Sequence, residues 1–299
     1  MLSKLNNLIS LLGNKTSLTR NKLAPGWASN KIESLLLIHK PESNKSAQLP
    51  NGFDCFEINT PNGKVQAYQM GSGPNVVFVH GLGGDARQFF LLMRGLSKCG
   101  FKTLTFDHLG HGMSDAKPAT LKQTIATTNH VINIVKNKST DGLSAVVGHA
   151  TGCIAVVNAQ QELIKDTPLF LISPVFNYKL FMLKKLAQLK LHKKLITEYI
   201  SEFSTVYKKQ YEKLELTKSL IKYADSTLIA HDKSDSISPI AESLRFCANN
   251  PITRLLVTKQ YDHMRIISSE SVWHELKSHL NYEDTTINYA QKILHQKSE

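Results

Sequence analysis

A chain of 299 residues with 41% hydrophobic and 20% charged residues has room for one large domain or two small ones, and it is too apolar to be wholly disordered. No apolar run approaches the roughly eighteen residues a membrane-spanning helix needs, which excludes an integral membrane protein. The formal net charge of +12 tolerates anionic partners, but the basic residues are spread along the chain without an aromatic-rich RNA-binding pattern, so nucleic acid is not an expected partner.

The first acidic residue is Glu33, which makes residues 1–30 a basic, weakly amphipathic segment. Its apolar positions are interrupted by Asn6, Asn7 and Ser10, unlike a secretory signal. A helix leaning on the domain or fraying from it is expected there, with weak membrane-surface association or an organelle-targeting peptide as the alternatives. Four widely spaced cysteines (Cys55, Cys99, Cys153, Cys247) form no C-x-x-C pair. That argues against a disulfide framework and a zinc site, and for a reducing, cytoplasmic compartment.

From residue 53 onward, β-branched segments alternate with helical ones, the order expected of a mostly parallel sheet covered on both faces. Strands are predicted at Phe53 to Asn59, Lys64 to Met70, Asn75 to His80, Lys102 to Phe106, Leu143 to Gly148, Pro168 to Ile172, Ser226 to His231 and Arg254 to Thr258. The first two meet across Pro61, Asn62 and Gly63 as an antiparallel hairpin at a sheet edge. Helices are predicted at Asp85 to Cys99, Leu121 to Asn137, Gly152 to Ile164, Ser238 to Asn249 and Ser271 to Leu280.

The connection after the sixth strand is too long for a simple crossover. Between Pro174 and Ser226 apolar residues recur at helical spacing among eleven lysines and five acidic residues. We expect two or three amphipathic helices there, inserted as a cap (residues 175–225) over the C-terminal edge of the sheet. The core then comprises residues 31–174 and 226–299.

Gly148-His-Ala-Thr-Gly152 has the frame of a G-x-S-x-G elbow, with Ala150 where the nucleophile stands. Around it, His80-Gly-Leu-Gly-Gly and Asp107-His-Leu-Gly-His-Gly-Met-Ser-Asp each follow a strand. Leu228-Ile-Ala-His-Asp-Lys-Ser-Asp and Leu255-Leu-Val-Thr-Lys-Gln-Tyr-Asp-His come later. These five elements in this order, from about Lys31 to Leu280, resemble the serine hydrolases and esterases of the α/β-hydrolase family. The resemblance implies a three-layer α/β fold with a central sheet of about eight strands. It also implies Asp235 as the acid, His263 as the base, and an oxyanion hole from the backbone N–H groups of Leu82 and Thr151. His80, Gly81 and His149 are expected to line the substrate site. Asp232 and Asp262 are nearby alternatives for the acid, and Asp235 as a plain helix cap is the competing structural reading. His108 and His111 are expected to pack a turn.

Alanine has no lone pair with which to attack a carbonyl, and losing the nucleophile costs on the order of 10⁶-fold in turnover. Thr151 and Cys153 are poor substitutes by position. Three readings remain open. Alanine stands in for serine in an otherwise ordinary Ser-His-Asp hydrolase, the pocket binds or regulates without chemistry, or His263 acts as the base of a proton-transfer or lyase reaction. The ligand class implied is a small carboxylic ester, thioester or lactone with an acyl chain, and an anionic group on it would suit the lysine-rich insertion. Gly13-Asn-Lys-Thr and Gly81-Leu-Gly-Gly lack the spacing of nucleotide-binding loops, and no histidine pairs as H-E-x-x-H, so neither cofactor nor metal is expected.

Overall fold

The computed structural model describes residues 49–188 and 212–280, with residues 37, 199 and 205. The basic segment 1–30 and residues 189–198 of the predicted insertion lie outside the described residues. Eight strands form one sheet: β1 (Asp54–Thr60), β2 (Gly63–Met70), β3 (Asn75–Val79), β4 (Lys102–Phe106), β5 (Leu143–His149), β6 (Leu169–Ile172), β7 (Thr227–Asp232) and β8 (Arg254–Thr258). Their spatial order is β1-β2-β4-β3-β5-β6-β7-β8. β1 and β2 form the expected edge hairpin, Thr60 opposite Gly63, and β2 also runs antiparallel to β4. All other pairings are parallel.

β3 is buried throughout, as a continuous apolar run at the centre of a doubly covered sheet should be. Its alternate side chains enter two separate cores. Val77 and Val79 join Val146, Leu171 and Ile229 on one face, while Val76 and Phe78 join Val147, Phe170 and Leu228 on the other. The first face is covered by α2 (Leu121–Lys138) and α3 (Gly152–Val157). The second is covered by α1 (Phe90–Lys98) and α9 (Glu270–His279). This is the three-layer arrangement expected from the strand and helix order.

The helix predicted from Ser238 starts at Ala241, and two others depart from expectation for local reasons. The segment predicted from Asp85 opens as a 3-10 turn, Ala86–Phe89, because the Asp85 side chain accepts from the Arg87 N–H and holds a tighter first turn. The helix predicted over 152–164 breaks into α3 and α4 (Gln161–Ile164). Asn158 is the cause: its amide donates to both Ile154 O and Leu214 O, and its oxygen accepts from Ser219 Oγ. A side chain tied in three directions competes with the helical ladder.

After β6 come α5 (Tyr178–Gln188), α6 (Leu216–Leu220) and a 3-10 segment, Ile221–Ser226. α7 (Ala241–Asn249) and the short α8 (Asp262–Arg265) follow β7 and β8. Among the described residues no helix is long and apolar enough to cross a membrane.

Candidate active site

Parallel strands deliver the predicted site residues to one edge of the sheet. Leu82 follows β3, Ala150 follows β5, Asp235 follows β7 and His263 follows β8. Strands β3 and β5 are neighbours, Val79 opposite Gly148, so the loops after them meet. At the turn after β5, Ala150 has a left-handed backbone, φ 54°. A non-glycine residue there costs about 1–2 kcal/mol, the strain expected of an elbow that thrusts one side chain out of the sheet.

Both flanking glycines are required sterically. A Cβ on Gly152 would collide with the Val79 carbonyl and come 2.7 Å from that of His80, and one on Gly148 would lie 2.9 Å from the Cys153 backbone. Gly81 is a third close-approach glycine, since its Cβ would sit 2.7 Å from that of Ala150. The frame is therefore complete around a residue with no reactive atom.

On the other side of the edge, Asp235 divides its oxygens between two tasks. Oδ1 accepts from the N–H groups of Ile237 (2.9 Å) and Ser238 (2.8 Å), the turn-capping role, and Oδ2 accepts from His263 Nδ1 at 2.7 Å. One oxygen does what the turn-capping reading asks, and the other makes the hydrogen bond to His263 that the acid reading requires. Burial alone would raise this carboxyl, but hydrogen bonds from His231 and His263, with that of the Ser238 backbone, hold it well below the usual carboxylate range. With Nδ1–H committed to Asp235, neutral His263 carries its basic lone pair on Nε2. The alternative acids do other work. Asp232 ties Ser234, Thr258 and the Tyr261 N–H together, and Asp262 caps α8 through Met264 and Arg265.

His231 escaped the sequence reading. Its Nε2 lies 3.2 Å from Asp235 Oδ2 and 2.7 Å from Ser238 O, and Ser243 Oγ meets its Nδ1 at 2.7 Å. Asp235 thus sits between two imidazoles, one on each side. The available signal was a histidine directly after the apolar run Leu228, Ile229 and Ala230 of a strand that is buried throughout.

The other predicted site residues serve the backbone. His149 donates from Nε2 to His263 O (2.9 Å) and accepts at Nδ1 from Gln88 Nε2 (3.2 Å). Its ring centroid lies 5.0 Å from that of His263, which brings the elbow strand and the histidine loop together. Burial, then the His263 charge, pushes its pKa down to about 3. His80 is fully buried, with Nε2 accepting from the His108 N–H and Nδ1 2.8 Å from Gly81 O. Both histidines were expected to meet substrate, and both have their ring nitrogens engaged within the protein instead. His111 and His108 pack turns as expected, His111 Nε2 accepting from the Gly83 N–H and His108 Nε2 donating to His80 O.

Of the two donors predicted for an oxyanion hole, the Thr151 N–H has no acceptor among the described residues, whereas the Leu82 N–H donates to Thr151 Oγ1 at 2.7 Å. Leu82, His108, His111, Leu121, Thr151 and Tyr178 are among the walls of a small adjoining cavity of about 20 Å³. Cys153 is no substitute nucleophile. It is buried, its thiol points to Ile172 O, and burial raises its pKa far above neutrality.

Residues 73–252 match the family described as Serine aminopeptidase, S33. The chain belongs to this α/β-hydrolase family. Solved structures of other hydrolases share its fold. The Pyrococcus furiosus esterase Pf2001 superposes with a TM-score of 0.58 at 19% identity, over 77% of this chain and 89% of the esterase. Est1E from Butyrivibrio proteoclasticus gives 0.57 at 19% identity, covering 76% of this chain and 99% of that one. A thioesterase domain from the curacin biosynthetic pathway gives 0.54 at 12% identity, covering 77% and 99%. No curated protein matches the chain in sequence. At these identities the likeness to solved structures concerns the hydrolase fold alone, and the site of this α/β-hydrolase has to be read from its own residues.

Proposed function

We propose that this α/β-hydrolase binds a small acyl-type ester, thioester or lactone at the C-terminal edge of its sheet without forming an acyl-enzyme. The observation that carries this reading is Ala150 at the tip of a strained, glycine-framed elbow, with a left-handed φ of 54°. With serine at that position the same frame, with Asp235 and His263, would support Ser-His-Asp ester hydrolysis. With alanine, the acid–base pair has no hydroxyl to activate.

In this reading residues 175–225 form a cap. Its first helix, α5, reaches both sides of the site: Lys184 Nζ lies 3.4 Å from Ile237 O beside the acid loop, and Lys185 Nζ lies 3.8 Å from where a Gly83 Cβ would stand. Lys185 is half-buried, and burial lowers its pKa. A carboxylate on the ligand would complement it. Four free cysteines suit a reducing, cytoplasmic setting.

A second reading has one observation in its favour, the 2.7 Å bond between Asp235 and His263, which leaves Nε2 able to draw a proton from a water or a ligand. One experiment separates the two. Methyl octanoate should raise the Tm of the native chain, while p-nitrophenyl acetate and butyrate are hydrolysed no faster than by the His263→Ala variant. Turnover by the native chain that vanishes in His263→Ala overturns the binding reading in favour of His263-driven chemistry.

A further inference from the structure

An oxygen above residue 150 would be offered two backbone donors, and they are in different states. The Thr151 N–H is open among the described residues. The Leu82 N–H is 2.7 Å from Thr151 Oγ1, so its single hydrogen is already spoken for. We infer that the Thr151 hydroxyl is the resident occupant of the Leu82 half of the oxyanion site, a second obstacle to acyl transfer that is independent of Ala150. The inference rests on the hydrolase reading of the site for its geometry.

The local structure explains why the hydroxyl reaches there. Thr151 follows the left-handed Ala150 and enters α3 with helical angles, φ −70° and ψ −17°. Gly81, lacking a Cβ, lets the loop after β3 lie against residues 149–151, and the His111 ring holds that loop through the Gly83 N–H at 3.1 Å. The Leu82 N–H is thereby presented to a side chain with few accessible rotamers. The obstacle belongs to the side chain, so truncation removes it without touching the frame.

The consequence for chemistry follows from where charge develops. In acyl transfer a nucleophile at residue 150 attacks the carbonyl carbon while its proton passes to His263 Nε2, and the carbonyl π pair moves onto oxygen. Collapse of that intermediate expels the leaving group, and water then repeats the sequence to release the acid. The anionic oxygen needs both donors at once, and loss of one costs on the order of 10²–10³-fold in kcat. In the native chain a ligand carbonyl meets one free N–H, an arrangement that accommodates the neutral ground state and does not favour the tetrahedral anion.

The test compares A150S, A150S/T151S and A150S/T151A with p-nitrophenyl acetate and butyrate, after thermal melts show each to be folded. A150S/T151A should exceed A150S by about 10²-fold in kcat with KM within about three-fold, since the recovered donor acts on the transition state. A150S/T151S keeps a hydroxyl and should stay within about five-fold of A150S. Equal kcat for A150S and A150S/T151A, or a gain confined to KM, overturns the inference. If no variant turns over ester, covalent labelling by a fluorophosphonate reads the same comparison: faster labelling of A150S/T151A supports it and equal labelling overturns it. Turnover by the native chain would defeat the binding proposal above while leaving this ratio readable.

Discussion

On the β7–β8 side of the sheet edge, Asp235 has both oxygens engaged and His263 is held by its ring and its backbone; on the β3–β5 side, the backbone frame is equally well packed around a residue that can do nothing. The difference separates two kinds of constraint. Gly81, Gly148 and Gly152 answer to close approaches between backbones, which exist whatever the residue at the tip. The hydroxyl at residue 150 answers only to chemistry. The acid–base side resists change for a further reason, since Asp235 also caps its own turn and accepts from buried His231. Removing it would cost stability, whereas alanine at the elbow costs the fold only the strain of its left-handed backbone.

Several substitutions would break or sharpen that contrast. The largest effect should come from Gly152→Ala on the inert side: its Cβ has nowhere to go against the carbonyls of Val79 and His80, so the urea midpoint should fall by the equivalent of about 3 kcal/mol or more. A loss under about 1 kcal/mol would mean the elbow can relax. Next, Asp235→Asn puts a donor opposite the N–H groups of His231 and His263. It should cost about 2–3 kcal/mol in the same titration, whatever chemistry the site performs. A neutral outcome would make the acid side a relic without structural work.

The third effect is a pH dependence across the junction of the two sides. His149 is buried neutral, its pKa lowered from 6.5 to about 3. Below 6.5 the unfolded chain takes up a proton the folded one refuses, so this contribution is complete above that value and is lost as pH falls towards 3. At pH 5 the loss should be about 2 kcal/mol, and His149→Gln should flatten the slope of stability against pH by about one proton. An unchanged slope would remove His149 from the account. The smallest effect should be Ala150→Gly. Relief of the left-handed strain, about 1–2 kcal/mol, exceeds the added backbone entropy of glycine, about 0.5–1 kcal/mol. A Tm rise worth about 0.5–1 kcal/mol is expected, and a fall would show that the Ala150 methyl contributes packing that outweighs its strain.

Order along the chain was enough for the architecture. Eight strand segments separated by helical periods admit few arrangements once crossovers are short and right-handed, and every predicted strand lies within about one residue of an observed one. The pairing of Asp235 with His263 was legible because loops after parallel strands gather at one edge. The identity of residue 150 is a matter of sequence alone. What the sequence left hidden are the contacts between side chains and distant backbone. His80 and His149 read as ligand-facing because they flank the elbow and the glycine loop, yet the folded chain spends their ring nitrogens on its own N–H and C=O groups. His231 beside Asp235, and the Thr151 hydroxyl on the Leu82 N–H, depend on the register of β3 against β5 and on the packing of two turns. One-dimensional spacing reports which residues reach the sheet edge. Which hydrogen bonds they make there is decided by angles and distances of a few ångströms that only the packed structure sets.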